Sequence, residues 1–186
     1  MAHPDIVLSP LKHARRDKLL DVAERLFTTQ GFRATTMEGL AEAAGLSKVT
    51  VYGYFSDKDA VFEAVAVRLA DRIRALVFTL LRQDGPVADR VVAALTAKHG
   101  LVFDLVRTSP FAAEIMSRTA DLPPIFATLD AELIDAIAAE IRDHELAQLL
   151  FQSAMGIANG VATRAEMERT VGRLVRRFLS GEPDRL

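Results

Sequence analysis

Apolar residues recur at intervals of three and four along almost the whole chain, which is the period of a helix with one buried face. The first such stripe consists of Leu19, Val22, Ala23, Leu26 and Phe27. Glycine and proline interrupt the pattern between stripes, and no segment shows the strict apolar-polar alternation of a strand. The pattern therefore predicts an all-α protein of about nine helices.

The segment 35–55 predicts two short helices joined by a tight turn. Thr35 with Glu38 fits a capping box that starts the first helix. Gly45 supplies the positive φ that a sharp turn after a helix requires, and Ser47 is placed to cap the second helix. This layout is that of a helix-turn-helix, whose second helix enters the major groove of DNA.

Three positions in this segment have separate steric roles. Ala41 is small where the two helices cross, Gly45 makes the turn, and Val51 fills the angle between the helices. The same triplet also fits an ordinary helical hairpin inside a bundle, so the flanking residues must decide between the two interpretations. Aromatic residues and a lysine follow the second helix directly, which favours the DNA-reading motif.

The flanking positions extend the pattern well beyond the turn. The residues that carry it are Leu26, Phe27, Gly31, Thr35, Thr36, Leu40, Ala41, Ala44, Gly45, Ser47, Lys48, Thr50, Val51, Tyr52, Tyr54, Phe55 and Lys58. In these residues the segment 14–65 resembles the N-terminal part of the TetR family of bacterial transcriptional regulators. The resemblance implies a three-helix DNA-binding head, expected over residues 12–60, and a helical body for effector binding and dimerisation, expected over residues 61–186.

The resemblance also implies which residues contact DNA. Thr36 is similar to the family's phosphate-contacting threonine, and Lys58 matches a basic residue at the start of the next helix. Tyr52 and Tyr54 resemble the aromatic pair that holds the DNA backbone. The residues that match the exposed first turn of the recognition helix, which reaches base edges, are Ser47, Lys48, Val49 and Thr50.

Two positions depart from the family pattern. Val49 stands where many members have glycine, and Gly53 stands where many have a larger, often polar residue. A valine in this position can contact the methyl group of a thymine. The operator sequence of a relative therefore does not transfer to this chain.

Charge gives only local support for DNA binding, because the formal net charge is −2. Residues 1–60 hold eight lysines and arginines against eight acidic residues. The best candidate for attraction to phosphate is a cluster consisting of Lys12, His13, Arg15, Arg16 and Lys18. Such a run of charge also fits an ordinary solvated face.

The sequence lacks the usual marks of an enzyme or a metal protein. Cysteine is absent, and the four histidines have no partner at metal-ligand spacing. No phosphate-binding glycine loop and no nucleophile motif occurs, so we expect no catalytic residue, no metal and no cofactor. Neither a signal peptide nor a membrane span is indicated, so we expect a cytoplasmic protein without a membrane partner.

Acidic residues are concentrated between Asp121 and Glu145, where seven face a single arginine. Their spacing places most of them off the apolar stripe of the predicted helix. A solvated face is the expected explanation, with a cation-attracting site as the alternative.

The helices after Pro86 carry many large apolar residues. The candidates for an effector cavity are Phe103, Phe111, Ile115, Met116, Phe126, Phe151 and Met155, with His99, Arg107, Gln152 and Asn159 as polar groups that orient a ligand. The same residues could simply fill a core. Together with the family resemblance they predict a lipophilic or aromatic effector.

The last two long helices are the candidates for dimerisation. A stripe consists of Met167, Val171, Leu174, Val175 and Phe178, and Gly156 and Gly160 would let another backbone approach closely. Intramolecular core is the alternative for this stripe. A dimer would supply the two-fold symmetry with which two recognition helices reach successive major grooves.

These features predict a ligand-responsive, homodimeric transcriptional regulator that acts as a repressor on a double-stranded DNA operator. Two alternatives remain open at this stage. The first is a DNA-binding regulator without a small-molecule effector. The second is a helical ligand-binding protein that has lost DNA binding.

Overall fold

The computed structural model describes residues 10–180, and this part of the chain forms α-helices and no strand, which confirms the predicted all-α fold. Nine helices lie within these residues. They are α1 (Pro10–Gln30), α2 (Met37–Ala44), α3 (Lys48–Tyr52), α4 (Lys58–Leu81), α5 (Val87–Thr108), α6 (Ala112–Ala120), α7 (Ile125–Ile141), α8 (His144–Gly160) and α9 (Arg164–Leu179). No helix among them is long and apolar enough to span a membrane.

The described residues divide into two compact units. The N-terminal unit comprises residues 10–67 and 109–122, and the C-terminal unit comprises residues 68–108 and 123–180. Helix α6 therefore belongs to the N-terminal unit, although the sequence analysis placed it in the C-terminal body. The assignment of DNA binding to one part of the chain and of effector binding to the other stays a prediction.

The N-terminal unit is built around three aromatic rings. Phe27, Phe32 and Phe62 lie with ring centroids 5.4 to 5.5 Å apart. The apolar faces of α1, α2 and α3 and the first turns of α4 pack around these rings. Val51, the single buried residue of α3, is fully enclosed, so α3 is held by one anchor and otherwise faces outward.

Helix α6 is attached to the end of α1 by specific contacts. Gly31 has φ +86°, and a Cβ there would lie 2.6 Å from a ring carbon of Phe111, so the close approach requires glycine. The Glu114 carboxylate accepts hydrogen bonds from the backbone N–H groups of Phe32 (3.2 Å) and Arg33 (3.0 Å). Ser109 donates a hydrogen bond to the Thr28 carbonyl at 2.7 Å.

The C-terminal unit encloses a second core of apolar residues from α4, α5, α7, α8 and α9. Three acidic residues of α7 are ion-paired with neighbouring helices. The pairs are Glu132 with Arg74 (2.7 Å), Glu140 with Arg90 (2.8 Å) and Asp130 with Lys98 (2.7 Å). The expectation of a purely solvated acidic face is therefore wrong for these three residues, because they fix α7 to α4 and α5.

Candidate functional site

The start of α2 differs in detail from the sequence-based prediction. The N-cap is Thr36, whose hydroxyl accepts a hydrogen bond from the Gly39 N–H at 3.0 Å. Thr35 is buried and donates to the Gly31 carbonyl at 2.8 Å. The predicted capping box of Thr35 with Glu38 is therefore wrong, because the Thr35 side chain points into the unit and the helix begins one residue later.

The turn between α2 and α3 has the predicted geometry. Gly45 has φ 64°, in the left-handed region, and its N–H is directed at the carbonyls of the last turn of α2. The Ser47 hydroxyl accepts a hydrogen bond from the Thr50 N–H at 3.1 Å and so caps α3. The Thr50 hydroxyl lies 2.8 Å from the Ser47 hydroxyl, which holds the two side chains together.

The outward face of α3 exposes apolar and aromatic side chains to solvent. Val49 is 84% exposed and Tyr52 is 50% exposed, beside the exposed Ser47 and Lys48. Lys48 lies 3.2 Å from Glu38, and a backbone hydrogen bond together with this lysine lowers the pKa of Glu38. The pair is open to solvent and therefore weak, so a DNA phosphate or base edge can replace Glu38 as the partner of Lys48.

Lys58 and Tyr54 lie differently from the exposed residues of α3. The Lys58 ammonium donates to the carbonyls of Phe32 (2.7 Å) and Thr35 (2.6 Å), and it lies 4.3 Å from the centroid of the Phe32 ring. Burial, followed by the nearby Arg118 charge, lowers the pKa of Lys58. The structure thus gives Lys58 an internal role, and its contact with DNA stays a prediction. Tyr54 is half-buried and packs against the core of its unit.

The structure does not bring the predicted effector-lining residues together as one set. Phe111, Ile115 and Met116 belong to the N-terminal unit, where Phe111 packs on Gly31 and Ile115 on the core, while Met116 is exposed. They lie outside the C-terminal body in which the cavity was expected, because the apolar face of α6 covers the end of α1, and their contact with an effector stays a prediction.

The remaining predicted effector residues divide into exposed and buried groups. Gln152, Met155 and Asn159 lie on the exposed face of α8, and their role in lining an effector cavity stays a prediction. Arg107 lies over the Phe103 ring at 3.6 Å and donates to the carbonyls of Val161 and Ala162 at the end of α8. The buried members are His99, Phe103, Phe126 and Phe151, of which Phe126 is partly buried.

A buried polar cluster lies among these residues in the C-terminal unit. His99 is only 4% exposed, its Nε2 has no hydrogen-bond partner among the described residues, and its ring centroid lies 4.9 Å from that of Phe151. Burial, followed by the Lys98 charge, lowers the pKa of His99 to about 3, so the imidazole is neutral at neutral pH. Lys98 is 8% exposed and pairs with Asp130, and its Nζ lies 4.5 Å from the Phe151 ring centroid.

The pair formed by Lys98 and Asp130 was not predicted from the sequence. A signal for Lys98 was present, because it continues the apolar stripe of Val91, Ala94 and Leu95 at helical spacing. A charged residue in such a stripe must find a partner or lose its charge. The partner lies 32 positions further along the chain, on another helix, and no local pattern identifies it.

Three of the predicted dimerisation residues are enclosed by their own chain. Met167, Val171 and Val175 have no exposed surface and belong to the core of the C-terminal unit. Their assignment to an intermolecular surface is therefore wrong, because α9 turns its apolar stripe towards α5 and α8.

Other predicted dimerisation residues do lie at the surface. Phe178 is 49% exposed, Leu174 is half-buried, and an added Cβ at Gly156 or Gly160 would meet no atom within 4 Å. Leu174 and Phe178 line an open groove of about 600 Å³ together with Ile157, Thr170, Arg173, Arg176, Arg177 and Ser180.

Among the described residues no group of three or more histidine, aspartate or glutamate side chains is placed to hold a metal ion. Within residues 10–180 the candidate sites are the exposed face of α3, the buried cluster around His99 and the surface formed by α8 and α9.

Comparisons with known proteins find similarity both in the N-terminal segment that contains the helix-turn-helix and over most of the chain. Residues 19–65 match the family profile described as "Bacterial regulatory proteins, tetR family". The chain is 30% identical over 141 residues to the uncharacterized HTH-type transcriptional regulator Rv1255c of Mycobacterium tuberculosis (strain ATCC 25618 / H37Rv), an alignment that covers 75% of this chain and 67% of that protein.

Two further similarities are shorter or concern the fold alone. The HTH-type transcriptional repressor ComR of Escherichia coli (strain K12) is 42% identical over 60 residues, which are 32% of this chain and 29% of ComR. The solved structure of the fatty acid degradation regulator FadR from Bacillus halodurans matches 96% of this chain and 99% of its own chain, with a TM-score of 0.65 and 15% identity.

Proposed function

Because this chain belongs to the TetR family of bacterial regulatory proteins, we propose that it is a transcriptional repressor that leaves its operator when a small lipophilic or aromatic effector binds. As a member of that family it is a DNA-binding transcriptional regulator. The repressor role is supported by the similarity of its N-terminal part to ComR, which is named a repressor. The protein then acts in the cytoplasm as a homodimer on double-stranded DNA.

The observation that supports operator binding most directly is the exposed first turn of α3. Val49 is an apolar residue that is 84% exposed, and Lys48 beside it pairs only with a solvated glutamate. Neither side chain contributes to the core, so neither is explained by folding. Both have the size and chemistry to contact base edges, valine through a thymine methyl and lysine through a guanine.

Replacing Lys48 by alanine is expected to lower operator affinity by about tenfold to a hundredfold, since a good contact with a base edge is worth about 1–3 kcal/mol. The operator is first selected from random duplexes with the purified protein, and affinity is then measured by fluorescence anisotropy. Arg169→Ala is the matched control, because Arg169 is an exposed basic residue of α9 outside the proposed interface. Unchanged affinity in Lys48→Ala would show that α3 is not the recognition helix.

The effector is proposed to bind at the cluster around His99. A buried imidazole nitrogen without a partner is costly, and a ligand that hydrogen-bonds to it removes that cost. Phe103 and Phe151 supply the apolar and aromatic surface that a lipophilic ligand requires, and the neutral state of His99 lets Nε2 accept or donate one hydrogen bond. An apolar ligand with one polar group fits this chemistry.

A thermal-shift screen with medium-chain fatty acids, aromatic acids and neutral aromatic alcohols tests this part of the proposal. At least one compound is expected to raise the melting temperature and to release the operator. The affinity of the His99→Phe variant for that compound is then expected to be about tenfold lower, which corresponds to the loss of one hydrogen bond of about 1.4 kcal/mol. The operator affinity of the variant is expected to be unchanged. If every compound that releases DNA acts equally on His99→Phe, the effector site lies elsewhere.

Homodimerisation is proposed through the exposed parts of α8 and α9. The surface consists of Leu149, Met155, Gly156, Gly160, Leu174 and Phe178. This surface suits close packing against α8 and α9 of a second copy of the chain. It combines large apolar side chains with glycines that leave open space beside them. The interface differs from the sequence-based prediction, because the buried stripe of α9 is not part of it.

A further inference from the structure

The first nine residues of α1 lie outside the core of the N-terminal unit. None of residues 10–18 is buried, and the apolar core begins with Leu19. At ~1.5 Å per residue this segment is about 13 Å long. We call residues 10–18 the basic overhang, since it carries Lys12, Arg15, Arg16 and Lys18.

One face of α1 changes its chemistry where the overhang begins. Lys12, Arg15 and Arg16 precede Leu19 by seven, four and three positions, so they continue the helix face that is buried from Leu19 onward. That face packs against α2, the first helix of the helix-turn-helix. The basic residues therefore extend towards the helix-turn-helix side of the unit and not towards the opposite side.

Two contacts show how near the overhang lies to the helix-turn-helix. The Arg16 guanidinium lies 5.3 Å from the ring centroid of Phe55, three residues after the end of α3. The Lys18 ammonium lies 3.8 Å from the position that a Cβ on Gly45 would occupy, at the turn before α3. The overhang is thus continuous with the proposed DNA interface.

Two charges of the overhang, those of Lys12 and Arg15, have no role in folding that the structure shows. Lys12 and Arg15 are exposed and contact no acidic residue of the described chain. The first turn of α1 contains no acidic side chain, and positive charge early in a helix opposes the helix dipole. Positive side chains that are unpaired, solvated and beside a recognition helix complement the phosphates of a duplex.

We propose that Lys12 and Arg15 contact backbone phosphates of the operator outside the base pairs read by α3. The two residues bind any sequence, so they raise affinity and position the protein without adding base preference. This proposal rests on the DNA-binding function of the chain and on neither the effector nor the dimer. Arg16 is held against Phe55 and orients the segment.

The test is the salt dependence of operator binding by the full chain. Anisotropy titrations at several salt concentrations are made with wild type, Lys12→Gln, Arg15→Gln and the double variant. For each bound protomer, a lost phosphate contact is expected to reduce the slope of log affinity against log salt by about 0.9, and the double variant is expected to reduce it by about 1.8. The affinity of each variant is expected to fall by a similar factor for the selected operator and for duplexes with altered base pairs. The helix content of the variants is expected to be unchanged.

Arg25→Gln is the control, because Arg25 is an exposed arginine of the same helix on its solvent side. If the double variant keeps the wild-type slope, or if Arg25→Gln reduces the slope as much as Lys12→Gln, the proposed contact is wrong while operator binding stands. If wild type binds no selected duplex, the DNA-binding function itself fails. A slope that falls only in the overhang variants, together with loss of ethylation interference at phosphates outside the bases read by α3, supports the contact.

Discussion

Replacing Lys58 by methionine is expected to lower the free energy of unfolding of the N-terminal unit by about 2 to 4 kcal/mol. The ammonium donates to two backbone carbonyls of the segment between α1 and α2, at 2.6 and 2.7 Å, and methionine leaves both carbonyls without this partner. Methionine keeps the length and most of the apolar contact of the side chain, so the change isolates the hydrogen bonds. Urea denaturation followed by circular dichroism measures the effect.

Lys48→Met is the matched control for this experiment. Lys48 is exposed and makes one solvated ion pair, so its replacement is expected to leave the unfolding free energy almost unchanged. The family resemblance offers the competing role for Lys58, a contact with DNA. In that case Lys58→Met would keep the wild-type stability and reduce the salt slope of operator binding by about 0.9 for each bound protomer.

Replacing Phe178 by glutamate is expected to convert the proposed dimer into a monomer at micromolar concentration. Phe178 is half exposed on α9, so the fold of one chain tolerates a polar residue there, whereas a charge buried in an apolar interface without a partner is costly. Operator affinity should fall by about a hundredfold or more, since the second recognition helix no longer binds as part of the same molecule. Light scattering and anisotropy on the same samples measure both effects.

Val106→Glu is the control for this substitution, because Val106 is an equally exposed apolar residue of α5. It is expected to keep both the dimer and the operator affinity. A wild-type protein that is monomeric at micromolar concentration and still binds its operator tightly would contradict the proposed dimer. A dimeric Phe178→Glu variant would place the interface on another surface.

The turn of the helix-turn-helix shows why part of this protein was predictable from sequence. Gly45 and Ser47 act on backbone groups only a few residues away, so the chemistry of the local segment is sufficient to place them. Thr35 shows the limit of the same reasoning. Two adjacent threonines could both cap α2, and the packing of one against the end of α1 decides which of them does.

Helix α9 shows that a sequence pattern predicts an apolar helix face but not what covers that face. The spacing of Met167, Val171 and Val175 predicts an apolar face correctly, but a stripe of this kind is the same whether its own chain or a second copy covers it. In the structure α5 and α8 cover it, and only Leu174 and Phe178 at its edge remain for a partner.

The sequence by itself determined the helical periodicity, the positions of the breaks and the helix-turn-helix, because these depend on interactions between residues close together in the chain. Tertiary structure alone decided that α6 packs on α1, that Lys58 binds carbonyls of residues 32 and 35, and that Lys98 pairs with Asp130. Each of these contacts joins groups more than twenty positions apart. Their energies depend on burial and distance, which exist only after the helices have packed.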